Sequence, residues 1–462
     1  MALLEDFTIT NSTDSLTGRF ADFIVGGARA NAPDGTDRHV LRAFINWLCC
    51  TIGGSRDESV SRMLAVIGVV AGAGQATVLG GNRKLDMAHA AFANGFASNV
   101  LDFDDMHVPT LIHPTGPVVA AALSVAEAQE DTGRALMDAI LTGIEVELHI
   151  GRCLFPDHYD RGWHITATAG VVGAAAAACA LMRLNREQTA RALAMAATQA
   201  GGLRAMLPNE GKNLNVGKAA QGGIMAALLA RQGLSSAPAI FDEPFGFFSV
   251  FEPRADFREL LQDLGRRYLV SEISLKPYPC GVVIHPVIDA CINISRRSGF
   301  ECGAIRSVDI HVHPRTAVLA EKPDPGSLIT SRFSLHHAAA LALTFGAADF
   351  ETFERTDVAD PGLVALRKRF VIHRSDDMTA AQAKVIVAFD GGEKITEHVT
   401  KATGSPENPL SDEHLERKFA QLCGLVMAPA AAEALLAQCQ VLHEVRDVGD
   451  LVKMAMVSSW KR

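Results

Sequence analysis

Between Asn94 and Gly116 the chain reads NGFASNVLDFDDMHVPTLIHPTG, so that Asp102, Asp104, Asp105, His107 and His113 stand among apolar and small residues. Three carboxylates this close repel one another and are costly to desolvate together, which argues against a packing role. They lie on a solvated turn, cap a helix, carry protons or act as ligands. Short acidic runs seldom have the spacing for a divalent cation, so no metal is expected.

Further candidates follow along the chain. His164 comes after Gly162-Trp163 and before a long apolar run. At a helix start an imidazole tends to stay neutral, which suits a base or a hydrogen-bond donor; the plainer role is a cap. Lys212 lies in NEGKNLNVGK at the entrance to another apolar helix, with Lys218 a turn and a half on. Helix N-termini attract anions and lysines strengthen that pull, unless the two are a solvated pair. Lys276 sits in SLKPYPCG, with Tyr278 two residues on, where a lysine is seldom found without a partner. His336 and His337 open a helical segment after Arg332-Phe333-Ser334, and one of them is expected at the surface. Lysines at helix starts attract an anion, and histidines beside them suit proton transfer near neutral pH.

Other motifs fail. GKNLNVGKA has one residue too many between its glycines for a phosphate loop, and Ala219 replaces the Ser/Thr that would hold magnesium. Gly72-Ala73-Gly74 lacks the third glycine of a dinucleotide turn, and no GxSxG elbow occurs. No cofactor is expected.

The elements that must position these residues are mostly helical. Apolar spacing of three and four predicts helices over 16–26, 39–52 and 59–70, and an Ala-rich core helix over 219–230. Asn185 with Gln188 forms a capping-box signal, and Glu187–Arg191 an i,i+4 pair. From about residue 275 the pattern changes. SVDIHVH alternates as a strand, Leu335 to Phe345 reads as helix, and AKVIVAF, a DGG turn and a second alternating run to Val399 read as a hairpin. Helix returns after GSPENP, with Ser411 as N-cap and Asp412 and Glu413 in the first turn. The expected fold is mainly α, with a large all-helical domain from 1–274 and 404–462 and a smaller α+β lid domain, 275–403, inserted before the C-terminal helices.

Composition bounds the function. With 462 residues the chain exceeds one ordinary core. A hydrophobic share of 48% with 21% charged residues fits a soluble globular protein, and a net charge of -9 argues against nucleic acid or an anionic membrane as partner. Nine cysteines, an odd number without CxxC spacing, read as reduced core thiols in a cytoplasmic protein. The opening MALLEDFTIT has no signal-peptide pattern. Ile165 to Met182 is uncharged but rich in Ala, Gly and Thr, which predicts a buried core helix, not a membrane span.

Taken in order, LDFDDMH with HPTG, GWH, GKNLNVGKAAQGG, LKPYPCG, RFSLHHA and GSPENPLSDEHLERKF resemble the successive landmarks of the MmgE/PrpD family, over almost the whole chain. That family includes 2-methylcitrate dehydratase, cis-aconitate decarboxylase and iminodisuccinate epimerase. The resemblance implies a homodimer without cofactor, an active site between two domains, and small di- or tricarboxylate substrates. It places site residues at Asp102, Met106, His113, His164, Lys212, Lys276 and His337, and the same segments add His107, Lys218 and Tyr278 as substrate contacts. Lyase relatives resemble a pattern with Thr at Met106, Tyr at His337, and Asn or Asp at Lys218. Met106 cannot donate a hydrogen bond, and His337 is expected to titrate near neutrality. These departures favour an epimerase of an amino-linked dicarboxylate such as iminodisuccinate. The alternatives are a hydro-lyase or decarboxylase on a di- or tricarboxylate, and a non-catalytic dicarboxylate-binding dimer.

Overall fold

The computed structural model describes residues 15–252, 257 and 261–457. The opening MALLEDFTIT lies outside the described residues. The fold is mainly α, and the chain divides into two compact units: residues 1–100, 109–273 and 415–462, and residues 101–108 with 274–414.

The larger unit is helical except for a short antiparallel pair, Ala76–Thr77 with Lys84–Leu85, so it is not all-helical as expected. It begins with α1 (Leu16–Gly26), α2 (Thr36–Gly54), α3 (Glu58–Val70) and α4 (Met87–Ser98), and continues with α5 (Thr115–Ala128), α6 (Gly133–Leu154), α7 (Ile165–Leu181), α8 (Arg186–Ala197) and α9 (Gly211–Arg231). The uncharged helix α7 is its centre, packed against α5, α6, α8 and α9. Small side chains make this possible. A Cβ on Gly223 would come within 2.5 Å of Ala174 Cβ and of the Ala175 backbone nitrogen, and one on Gly173 within 2.8 Å of the Gly143 carbonyl. The helices therefore meet backbone to backbone, where larger residues would hold them apart. Among the described residues, no helix is long and apolar enough to cross a membrane. At α8 the capping box forms as the sequence predicts, with Asn185 accepting from the Gln188 N–H and Gln188 reaching back.

In the smaller unit β1 (Asp105–Met106) pairs antiparallel with β2 (Ser274–Leu275). That pairing is why 101–108 pack with this unit although they fall inside the stretch expected to be helical domain. Then come α10 (His285–Ser295), β3 (Ile305–Val312), α11 (Leu335–Phe345), α12 (Phe350–Arg355), α13 (Pro361–Arg367), β4 (Phe370–Arg374), β5 (Ala383–Phe389) and β6 (Lys394–Val399). The sheet runs β4-β3-β5-β6. β5 and β6 form the predicted hairpin, turning through Gly392 at φ 87. β3 pairs antiparallel with β5 and parallel with β4. Helix α10 covers the sheet and packs on α11, and the apolar core lies between them. The tail opens with α14 (Asp412–Cys423), whose Ser411 hydroxyl oxygen accepts the His414 N–H. All nine cysteines are free thiols, and all but Cys302 are buried.

Candidate active site

Three helix starts meet in the larger unit. The His113 backbone N–H, just before α5, donates to Thr166 Oγ1 in the first turn of α7 at 3.1 Å. His164, the N-cap of α7, has Nδ1 3.1 Å from the Asn215 amide nitrogen in the first turns of α9. A Cβ on Gly116 would lie 2.8 Å from Val216 Cγ1, which brings α5 against α9. Each start turns backbone N–H groups and the positive end of a dipole toward the same region, where an anion is favoured.

Three of the predicted residues lie at or near these helix starts. His113, His164 and Lys212 are buried, at 9%, 4% and 6% exposure. The His164 N–H donates to the Gly202 carbonyl at 3.0 Å, which fixes the residue from its backbone. An amide nitrogen only donates, so His164 Nδ1 accepts and the proton of the neutral ring is on Nε2. Lys212 is the second residue of α9.

Sequence reasoning missed Asn215. Its signal was present in the GKNLNVGK run, three positions after Lys212 and so on the same side of a helix. By contrast Lys218 leaves the group. It is exposed and donates to Gln221 Oε1 at 2.8 Å. Six positions along a helix turn a side chain away by about 120°, so the two lysines do not act as a pair. The GKNLNVGKA run is helical from Gly211, not a phosphate-binding loop.

The smaller unit holds the rest. Lys276, with no exposure, donates to Asp102 Oδ1 and to the Asp102 carbonyl, both at 3.0 Å. Burial works against its charge, but Asp102 and then Asp104 outweigh that and hold the ammonium above the ordinary lysine range. Asp102 adopts φ 51, a left-handed conformation that Asp tolerates better than most residues and that here turns both its acceptors to Lys276. Asp104, Asp105 and His107 are also buried, so the acidic run is no solvated turn. Met106 lies in β1 opposite Ser274. Among the described residues, no three His, Cys, Asp or Glu side chains are grouped to hold a metal ion. The Tyr278 hydroxyl donates to Asp289 Oδ1 at 2.6 Å, while Asp289 Oδ2 accepts the Thr403 N–H.

Two expectations about the paired histidines need correction. Neither is at the surface: His336 is 4% exposed and His337 is fully buried. Nor does His337 titrate near neutrality, because burial and the neighbouring Arg367 push it down to about 4.

Residues 18–260 match the MmgE/PrpD N-terminal domain and residues 278–444 the MmgE/PrpD C-terminal domain. The chain is similar to a cis-aconitate decarboxylase-like protein, oryM, of Aspergillus oryzae, with 24% identity over 97% of this chain and 99% of that protein. It is 25% identical to the cis-aconitate decarboxylase of Mus musculus, over 95% of this chain and 93% of the mouse protein. The Homo sapiens cis-aconitate decarboxylase is 26% identical over 80% of each.

Proposed function

Because the chain belongs to the MmgE/PrpD family, we propose that it is a lyase acting on a small di- or tricarboxylate, with decarboxylation of a cis-aconitate-like acid ahead of dehydration or epimerisation. The observation that carries this reading is the meeting of three helix starts, at or near which the buried His113, His164 and Lys212 stand. The decarboxylases that align with nearly the whole chain set the order of the alternatives.

The residues suit the chemistry. When CO2 leaves, the electron pair of the broken C–C bond passes into the remaining carbon skeleton and onto a carboxylate oxygen, and a proton is delivered to carbon. Lys212 and the helix N-termini stabilise the negative charge that develops. His164, with its proton on Nε2, is suited to donate a hydrogen bond to the developing charge, and His113 is the acid/base group that delivers the proton to carbon. The case for an epimerase rested partly on a titrating His337, and burial removes that part. Association as a homodimer is part of the proposal, and light scattering of the purified protein checks it.

The test is a substrate panel in deuterated water, followed by NMR. cis-Aconitate, methylcitrate and a single stereoisomer of iminodisuccinate are each incubated with the enzyme. CO2 with a deuterated unsaturated dicarboxylate supports the decarboxylase. An unsaturated acid without CO2 replaces it with the hydro-lyase, and a second stereoisomer alone with the epimerase. Thermal stabilisation without solvent exchange makes the protein a binder.

A further inference from the structure

His337 is held from both ends. Its backbone N–H donates to the Ser334 hydroxyl at 3.0 Å, and that hydroxyl donates to the Lys322 carbonyl at 2.5 Å. Its Nδ1 lies 3.1 Å from Arg367 Nη1 at the end of α13, and the same nitrogen reaches the Val358 carbonyl at 2.9 Å. A guanidinium has N–H donors and no acceptor. Nδ1 must therefore accept, and the neutral ring carries its proton on Nε2. That Nε2 is buried and meets no acceptor among the described residues. Buried donors are nearly always satisfied, so one kept open in a fixed side chain points to an acceptor supplied from outside the chain.

We propose that Arg367 is a positioning residue that locks His337 as a neutral Nε2–H donor toward a carboxylate ligand of the smaller unit. The substrate half rests on the lyase reading above; the tautomer does not.

The surroundings leave little to compete with Arg367. Helix α12 sets the Phe353 ring against the imidazole, with centroids 6.0 Å apart. Its charged residues are engaged elsewhere, Glu351 with Arg355 and Glu354 with Arg332. Helix α10 carries His285 beside the Cys280 carbonyl, Cys291 with its thiol kept protonated by burial, and Asp289, which holds Tyr278 and Thr403. His336, next in the chain, stacks on Phe370. Asp324 acts on Arg367 and on His336, and Glu321 on His336.

Nitrogen-15 NMR of labelled histidine tests the proposal on the full chain, with the His337 signal assigned by its loss in His337→Gln. In the native protein the signal is that of a neutral Nε2–H ring, unchanged from pH 6 to pH 9. Arg367→Gln lets the ring mix tautomers and brings its titration into that range. A native Nδ1–H tautomer, or a native midpoint near that of free histidine, overturns the positioning role without any variant needing to fold. Adding cis-aconitate should shift the Nε2–H resonance. No shift at saturating acid overturns the donor role, whereas a shift without turnover leaves the donor in place and refutes only the lyase reading.

Discussion

Replacing Lys276 by Met is the sharpest probe of the buried pair in the smaller unit. Met keeps the length of the side chain and removes the charge. Both Lys276 contacts, at 3.0 Å to Asp102 Oδ1 and to the Asp102 carbonyl, are lost. Asp102 and Asp104 remain buried after the cation that both of them stabilise is gone. Breaking a buried pair by removing one partner costs about 3–5 kcal/mol. Even about 3 kcal/mol raises the opening constant of the local structure roughly 10²-fold. The assay is hydrogen exchange at β1 and β2, where Asp105 pairs with Leu275 and Met106 with Ser274. Those amides should lose about two orders of magnitude of protection, and adding Asp102→Asn should recover part of it because fewer buried carboxylates then lack a counter-charge. The pH sign follows from the raised lysine. Its stabilisation is complete below the unfolded value of 10.5 and is lost only as pH climbs through the higher folded value, so the effect should be the same at pH 6 and pH 9. Unchanged protection in Lys276→Met, or a double variant no better than the single, refutes the idea that this pair holds the acidic segment in place.

Three further outcomes follow from the same structure. Gly223→Ala should cost roughly 1–3 kcal/mol in urea unfolding, because its Cβ meets the Ala175 backbone nitrogen at 2.5 Å and backbone cannot yield as a side-chain tip can. His158 and His337, both fully buried, are pushed from 6.5 to about 4, chiefly by burial. Between those values the unfolded chain binds protons that the folded one does not, so stability should fall as pH drops from 6.5 toward 4, by about 3 kcal/mol per histidine; urea midpoints at pH 7 and pH 4.5 check this. Lys212→Ala should lower kcat by about two orders of magnitude in steady-state assays, as expected on losing one preorganised donor, while Lys218→Ala should change it less than threefold.

Much of this was legible where the signal is local. Leu335–Phe345, the β5–β6 hairpin and the Asn185–Gln188 box depend on short-range spacing, and they form as the sequence predicts. Helices α4 and α5 left no such trace, because nearly every residue in them is buried and small, and a helix apolar on all sides has no stripe to read. The β1–β2 pairing joins segments far apart in sequence through two residues each, below what any local pattern reveals. Strand β4 escaped because only Phe370 of its five residues is buried, so it lacks the alternation of β3. Residue type identified Lys212, His164 and Lys276 as candidates. Whether two lysines share a face, and whether a histidine titrates, depended on neighbours such as Gln221 and Arg367 that composition cannot assign.

On the proposed function, this chain removes CO2 from a small tricarboxylate using the groups at the three helix starts. The most direct test follows carbon-13-labelled CO2 released from carboxyl-labelled cis-aconitate by the native enzyme and by Lys212→Ala. One CO2 per acid consumed, with release by the variant slowed about 10²-fold, is the predicted result. Consumption of the acid without labelled CO2, or release unchanged in Lys212→Ala, would contradict it.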